Sequence, residues 1–272
     1  MKVRAALAAA AERLADTSET ARLDAELLMA HALGVERDGL LLSGLDRDAP
    51  EAFETLVRRR EAGEPVAYIT GRRAFWTIEL EVGPGVLVPR PDSETLIDAA
   101  LAHFGKTGPK TILDLGTGPG SLLLAALDQW PEARGCGVDR SEAALAIAIR
   151  NAERLGLADR ANFVRGDWGE GLDARFDLIL CNPPYIEASA SLPRDVAEWE
   201  PHEALFAGPD GLADYRRLAP QIGALLAPGG IACFEIGAGQ EADAGALFRA
   251  AGFNVAARKD LAGHARCLVL RP

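Results

Sequence analysis

Four consecutive residues, Asn182-Pro183-Pro184-Tyr185, directly follow an apolar, strand-like run from Phe176 to Cys181. Proline has no N–H to donate and forces the residue before it towards extended geometry. We therefore expect a rigid ledge that presents two hydrogen-bond acceptors, the side-chain oxygen of Asn182 and the carbonyl oxygen of Pro183, beside the flat ring of Tyr185. A planar –NH2 group matches this ledge, because its two hydrogens need two acceptors and its π-face needs a partner. The alternative is a proline-rich turn that only closes a strand.

A glycine-rich turn lies upstream of the ledge, between the apolar run Thr111–Leu115 and a helix predicted over Ser121–Trp130. Asp114 stands within the run, and the turn consists of Gly116, Thr117, Gly118, Pro119 and Gly120. Glycine allows positive φ and lets the backbone approach a ligand closely. On its own the pattern is weak, since a dinucleotide site uses a similar turn.

Acidic residues end or follow the next two predicted strands. Asp139 can accept hydrogen bonds from both ribose hydroxyls of a nucleoside, or it could cap the helix predicted from Ser141. Asp167 could accept from an adenine amino group while Trp168 stacks on the ring. Alternatively, Asp167 and Trp168 are a polar strand end with a packed indole.

The elements that must position these residues alternate between strand and helix. Strands are predicted near 111–115, 135–139, 161–165, 176–181, 230–236, 253–258 and 266–270, with helices between them. This alternation predicts an α/β fold with a largely parallel, doubly wound sheet, and the closing segment 253–270 could form an antiparallel hairpin. Ligands of such sheets bind outside the carboxyl ends of the strands, so all the motifs above should share one edge.

The sequence predicts three successive segments along the chain. Residues 1–72 read as a small helical domain, 73–90 as a β-hairpin linker, and 91–272 as the α/β domain. The hairpin is predicted from an alternating strand over 75–82, a turn at 83–85 and a return strand over 86–88. Arg58, Arg59 and Arg60 end a predicted helix, where cations complement the helix dipole, and we interpret them as a solvated helix end.

The composition restricts the classes of function. The 272 residues carry a formal net charge of −11, which argues against a protein that binds bare DNA by neutralising its phosphates. The four cysteines form no C-x-x-C pair and the four histidines are isolated, so no metal site is expected. No stretch approaches the roughly 18–20 apolar residues of a membrane span. We expect a cytoplasmic protein without a membrane partner.

Together the motifs resemble those of the class I (Rossmann-like) S-adenosylmethionine-dependent methyltransferases, and within them the HemK/PrmC family. The resemblance covers nearly all of the chain. It rests on Gly63–Gly71, Phe75-Trp76, Val88–Glu94, Asp114–Gly118, Asn182–Ile186, Glu200–Phe206 and Asp210–Leu212. The chain departs from the family pattern at Pro119, where a small polar residue is usual, and at His202, where a basic residue is common.

The resemblance implies methylation of the glutamine side-chain amide in class I peptide chain release factors, with S-adenosylmethionine as cofactor. The expected catalytic residues are Asn182, Pro183 and Tyr185, and together with Pro184 they would bind the substrate. The cofactor would be held by Asp114 and the turn from Gly116 to Gly120 at its amino-acid end, Asp139 at the ribose, Asp167 and Trp168 at the adenine, and Asn182 near the methyl group.

Two other functions remain open from the sequence. In adenine-N6 methylation of DNA the group that is methylated is also a planar –NH2, but this reaction needs a basic target-recognition domain. A non-catalytic nucleotide-binding module would have no use for an intact ledge. The sequence leaves the roles of Arg90 and Glu94 open, with the segment Pro89-Arg90-Pro91 fitting either a lid or a linker.

Overall fold

A computed structural model describes all 272 residues, which fall into two compact units. The first unit comprises Met1–Arg72 together with Ser191–Glu200, and the second comprises Arg73–Ala190 with Pro201–Pro272. The segment Ser191–Glu200 thus belongs with the N-terminal helices, although it lies far from them in the chain. Nothing in the sequence pointed to this assignment.

The first unit is a helical bundle with its own apolar core. Its helices are α1 (Val3–Leu14), α2 (Ala21–Leu33), α3 (Arg37–Gly39), α4 (Ala52–Glu61) and α5 (Val66–Thr70), a π-helical turn at Leu40–Gly44, and α9 (Arg194–Ala197), numbered by its place in the chain. The apolar stripes of α1, α2 and α4 meet in this core, which includes Leu7, Leu14, Leu28, Met29 and Val57. An apolar stripe along one side of each helix is what allows the three helices to share a core.

Arg60 occupies a different position from the one predicted for it. Its side chain is buried, and its guanidinium donates to Asp24 Oδ2 at 2.7 Å and to Asp195 Oδ2 at 3.2 Å. Arg58 and Arg59 remain on the outside of α4. The interpretation of all three arginines as a solvated helix end is wrong for Arg60, since the acidic partner Asp195 comes from a distant part of the chain.

The β-hairpin exists, but its turn lies elsewhere than predicted. Strands β1 (Arg72–Phe75) and β2 (Ile78–Glu81) pair around Trp76, which has a φ of 53°. The Glu94 carboxylate accepts the Trp76 N–H at 2.8 Å and so holds this unusual conformation. The alternation of side chains ran through the turn and concealed it, and residues 83–88, expected as a turn and return strand, form no strand.

The second unit contains a seven-stranded sheet in the order β5-β4-β3-β6-β7-β9-β8. The strands are β3 (Thr111–Leu115), β4 (Arg134–Asp139), β5 (Ala161–Arg165), β6 (Phe176–Cys181), β7 (Leu226–Glu235), β8 (Asn254–Lys259) and β9 (Ala265–Arg271). Only the pairings of β9, with β7 and with β8, are antiparallel. The predicted α/β class, the parallel sheet and the closing antiparallel pair are confirmed.

Helices connect the strands of this sheet. They are α6 (Glu94–Phe104), α7 (Ser121–Gln129), α8 (Glu142–Arg154), α10 (Ala213–Leu225) and α11 (Glu241–Ala250). The strand order changes direction at β3, which lies between β4 and β6, and such a switch point opens a crevice at the carboxyl ends of the strands. None of the helices in the structure is both long and apolar enough to cross a membrane.

Candidate active site

A cleft opens at the carboxyl ends of β3 to β6. Of the residues proposed from the sequence, those that line it are Gly116, Gly118, Asp139, Asp167, Trp168, Asn182 and Pro184. Those that do not line it are Asp114, Thr117, Pro119, Gly120, Pro183 and Tyr185. The proposed site residues therefore divide into a set that faces the cleft and a set that lies behind or beside it.

The glycine-rich turn is fixed to the neighbouring strand. Gly116 and Thr117 donate their N–H groups to the carbonyl oxygen of Val138 at 2.9 and 3.0 Å. Gly116 has a φ of 73°, and a β-carbon there would lie 3.0 Å from the Trp168 ring. Glycine is therefore required at this position both for its conformation and for close approach of the indole.

Asp139 holds the turn and begins the next connection. One carboxylate oxygen accepts the Gly118 N–H and the other accepts the Ser141 N–H, both at 2.9 Å. The N-cap of α8 is Ser141, whose hydroxyl accepts the Ala144 N–H, so Asp139 is not the helix cap. Each carboxylate oxygen retains a second lone pair, which leaves Asp139 able to accept from hydroxyls in the cleft.

Asp114 lies beneath the turn and not in the cleft. One of its oxygens accepts from the Thr117 hydroxyl at 2.6 Å and from the Leu123 N–H at 3.2 Å, and the other has no partner. Burial raises the pKa of Asp114 to about 7. From this position Asp114 shapes the turn and the start of α7.

Asp167 and Trp168 form one wall of the cleft. Trp168 has a φ of 54°, a left-handed conformation that non-glycine residues rarely adopt. Asp167 pairs with Arg217 through one oxygen at 2.6 Å, which leaves its other oxygen for a ligand. Asp214, in the first turn of α10, also lines the cleft, and burial raises its pKa. No sequence motif identified Asp214.

Asn182 enters the cleft with its amide oriented by a partner. Its Nδ2 donates to the Ser93 hydroxyl at 3.1 Å, so the side-chain oxygen Oδ1 is the atom left for a ligand. Pro183 and Pro184 are both buried, and of the two only Pro184 lines the cleft. Asn182 thus presents an acceptor, as its place in the ledge requires.

Tyr185 is held from three directions. Its hydroxyl donates to Glu235 Oε1 at 3.1 Å, and its carbonyl oxygen accepts from Gln240 Nε2 at 3.0 Å. A β-carbon on Gly237 would lie 3.1 Å from the ring. Burial raises the pKa of the Tyr185 hydroxyl, which stays protonated at neutral pH. The sequence analysis did not identify Ser93, Glu235 or Gln240.

Two further segments contribute to the lining. One contains Gly85, Val86 and Leu87, the stretch expected as a strand, and the other contains Pro201, Glu203, Ala204 and Phe206. Arg140 ties the second segment to β4 by donating to the Glu203 carbonyl at 3.3 Å. An isolated bridge between Ile186 and Phe206 joins the same segment to the chain just after the ledge.

Comparisons with known proteins agree with this geometry. Residues 5–71 match the family model of the PrmC N-terminal domain, and residues 106–241 match that of a methyltransferase domain. A release factor glutamine methyltransferase from Rhodospirillum rubrum is 45% identical over 93% of this chain and 79% of its own length.

Solved structures show the same fold. A methyltransferase from Pyrococcus furiosus superposes with a TM-score of 0.55 at 19% identity, over 81% of this chain and 98% of its own. A 16S rRNA N2 G1207 methyltransferase from Thermus thermophilus, solved in complex with AdoMet and guanosine, gives a TM-score of 0.52 at 23% identity, over 74% of this chain and 49% of its own. The second unit therefore has the class I methyltransferase fold.

Proposed function

This chain belongs to the family of release factor glutamine methyltransferases, and we propose that it transfers the methyl group of S-adenosylmethionine to a glutamine side-chain amide nitrogen in a peptide chain release factor. The observation that carries the proposal is the orientation of Asn182. Because Ser93 accepts from Nδ2, the amide oxygen is left to accept a hydrogen from the substrate –NH2.

The ledge addresses the main difficulty of the reaction. An amide nitrogen is a poor nucleophile, since its lone pair is delocalised into the carbonyl group. When bound, S-adenosylmethionine supplies a methyl carbon already activated by its sulfonium, so the protein must chiefly position the nitrogen. The Asn182 side-chain oxygen and the Pro183 carbonyl would each accept one amide hydrogen and stabilise the positive charge that develops on nitrogen.

Tyr185 would pack its ring against the planar amide. Its hydroxyl has a raised pKa and is no base at neutral pH. The ledge therefore contains no group that removes a proton before transfer. In this scheme the proton leaves the nitrogen after methylation, when it is acidic.

The proposed cofactor arrangement follows the cleft. Asp139 would accept from the ribose hydroxyls, Asp167 and Trp168 would hold the adenine, and the turn from Gly116 to Gly120 would surround the amino-acid end. Support comes from the free lone pairs of Asp139 and from the close approach that Gly116 permits. Asp114 would contribute by shaping the turn.

The proposed protein partner is a class I release factor, through its Gly-Gly-Gln loop. The two glycines would let that loop fold tightly and present the glutamine without steric conflict. We assign the docking of the factor to the helical unit and the chemistry to the second unit, and we place the activity in the cytoplasm, where such a substrate works.

A tritiated-methyl transfer assay tests the proposal. The purified protein is offered a release factor and an adenine-rich DNA duplex side by side, and we expect label only on the factor. Changing the target glutamine to glutamate removes the –NH2 and should abolish labelling, and changing it to asparagine shortens the reach and should nearly abolish it. A methyl group located by mass spectrometry on another residue, or on adenine, would refute the substrate assignment.

A further inference from the structure

Glu235 is a buried carboxyl group that the mechanism above does not use. It ends β7, which pairs in parallel with β6 so that Phe234 lies opposite Cys181. Glu235 therefore lies beside the point where the ledge begins. Its side chain is 0% exposed.

Glu235 reaches both functional ends of the ledge. Its Oε1 accepts from the Tyr185 hydroxyl at 3.1 Å. The Ser93 hydroxyl also interacts with this carboxyl group and opposes the rise of its pKa, and the Ser93 oxygen accepts from Asn182 Nδ2 at 3.1 Å. One carboxyl group is thus connected to Tyr185 directly and to Asn182 through one intermediate.

The buried position of Glu235 is unfavourable for the stability of the fold. Burial raises the pKa of Glu235 to about 7, and its Oε2 has no hydrogen-bond partner. The nearby cation Arg266 pairs with Asp92 at 3.0 Å and with Asp260 at 3.4 Å, and it does not bond to Glu235. A buried carboxyl in these conditions lowers stability relative to an apolar residue of similar size.

The direction of these hydrogen bonds fixes the orientation of Asn182. The Ser93 oxygen faces Asn182 as an acceptor, which leaves the Ser93 hydroxyl hydrogen for the Glu235 carboxyl group and selects the amide rotamer with Nδ2 inward. In the opposite rotamer Asn182 would present –NH2 to the cleft, and two –NH2 groups would then face each other. That orientation would favour a carboxylate substrate over an amide.

We propose that Glu235 is a positioning residue for methyl transfer. It orients Asn182 through Ser93 and holds Tyr185 by direct contact, so that the ledge accepts an amide. The expected effect on the rate of methyl transfer rests on the proposed function. The coupling between Glu235 and Asn182, in contrast, is a property of the free protein.

Glu235→Gln is the principal test, because it keeps the side-chain volume and replaces one acceptor oxygen with a donor. We expect kcat with the release factor to fall at least tenfold. We expect the Kd for S-adenosylmethionine to stay within threefold and the melting temperature to stay equal or rise. Glu241→Gln, an exposed position on α11, is the matched control and should change none of these. A kcat within threefold of wild type, or a parallel loss of cofactor affinity and melting temperature, would overturn the proposal.

A second measurement does not depend on the substrate. In cofactor-free protein, the side-chain amide resonances of Asn182, assigned with Asn182→Ala, should move in Glu235→Gln although the two side chains share no direct hydrogen bond. They should move in Ser93→Ala as well and stay in place in Glu241→Gln. Unmoved Asn182 resonances in Glu235→Gln would refute the coupling. If the wild type labels no release factor but the resonances move, the proposed function fails and the positioning role of Glu235 stands.

Discussion

Replacing Asp139 with alanine should weaken S-adenosylmethionine binding by about a hundredfold. Hydrogen bonds to a charged group contribute roughly 1.5–3 kcal/mol each, and 1.4 kcal/mol corresponds to a tenfold change in Kd. Loss of one ribose hydroxyl bond therefore predicts about tenfold weaker binding, and loss of both predicts about a hundredfold or more. Isothermal titration calorimetry measures the change directly.

The structure gives Asp139 a second role that must be separated from ribose binding. It accepts the N–H groups of Gly118 and Ser141, so the alanine variant also releases the glycine-rich turn. Ser141→Ala is the matched control, since it removes the N-cap bond to Ala144 and leaves the Asp139 carboxylate in place. Loss of an N-cap costs about 1 kcal/mol of stability, and we expect cofactor affinity to change less than threefold.

A ligand change completes the separation. In the wild type, S-adenosylhomocysteine lacking the ribose 2′-hydroxyl should bind more weakly than complete S-adenosylhomocysteine. In Asp139→Ala, the two ligands should bind with equal affinity. If removal of the hydroxyl weakens binding equally in both proteins, Asp139 does not contact it. Unchanged affinity in Asp139→Ala would show that the residue serves the turn alone.

Three further predictions concern the ledge, the helical unit and pH. Asn182→Ala should lower kcat at least a hundredfold, as loss of a preorganised group at a developing charge does, and should leave cofactor Kd within a few-fold; calorimetry showing lost cofactor binding would contradict this. Arg60→Met should cost about 3–5 kcal/mol in urea unfolding, because buried Asp24 loses its cation, whereas exposed Arg58→Met should leave the midpoint unchanged. Folding raises the pKa of Asp114 from its usual 3.8 to about 7. The contribution of Asp114 to the stability of the fold is therefore complete below pH 3.8 and is lost as the pH rises towards 7. The stability of the wild type relative to Asp114→Asn should be lower at pH 8 than at pH 5.

The central strands of the sheet could be predicted from the sequence because they are buried on both faces. Such strands appear as short, nearly continuous apolar runs with clear ends, and the predicted bounds of β3 and β6 agree with the structure. The predicted bounds of β5, an edge strand without a buried residue, also agree. The hairpin was mispredicted because a strand with one exposed face is recognised only by alternation. The turn at Trp76 keeps that alternation and contains no glycine or proline to mark it.

The site divides in the same way. The residues proposed from the sequence that face the cleft belong to local motifs at strand ends, so sequence alone brings Gly116, Asp139 and Asn182 to one edge of the sheet. The groups that hold the ledge are far away in the chain: Ser93 lies 89 positions from Asn182, and Glu235 lies 50 positions from Tyr185. The parallel pairing of β6 with β7 brings Glu235 to the ledge, and no local pattern encodes that pairing.

Acidic residues line much of the cleft, and their negative charge suits a cationic cofactor. Its lining includes four acidic residues, Asp139, Asp167, Glu203 and Asp214, and one cation, Arg140. Opposite charges within several ångströms attract more strongly in a partly desolvated cleft than in water. S-adenosylmethionine carries a sulfonium that methyl transfer converts into a neutral thioether. We therefore expect the acidic lining to favour the cationic substrate form of the cofactor over the product form.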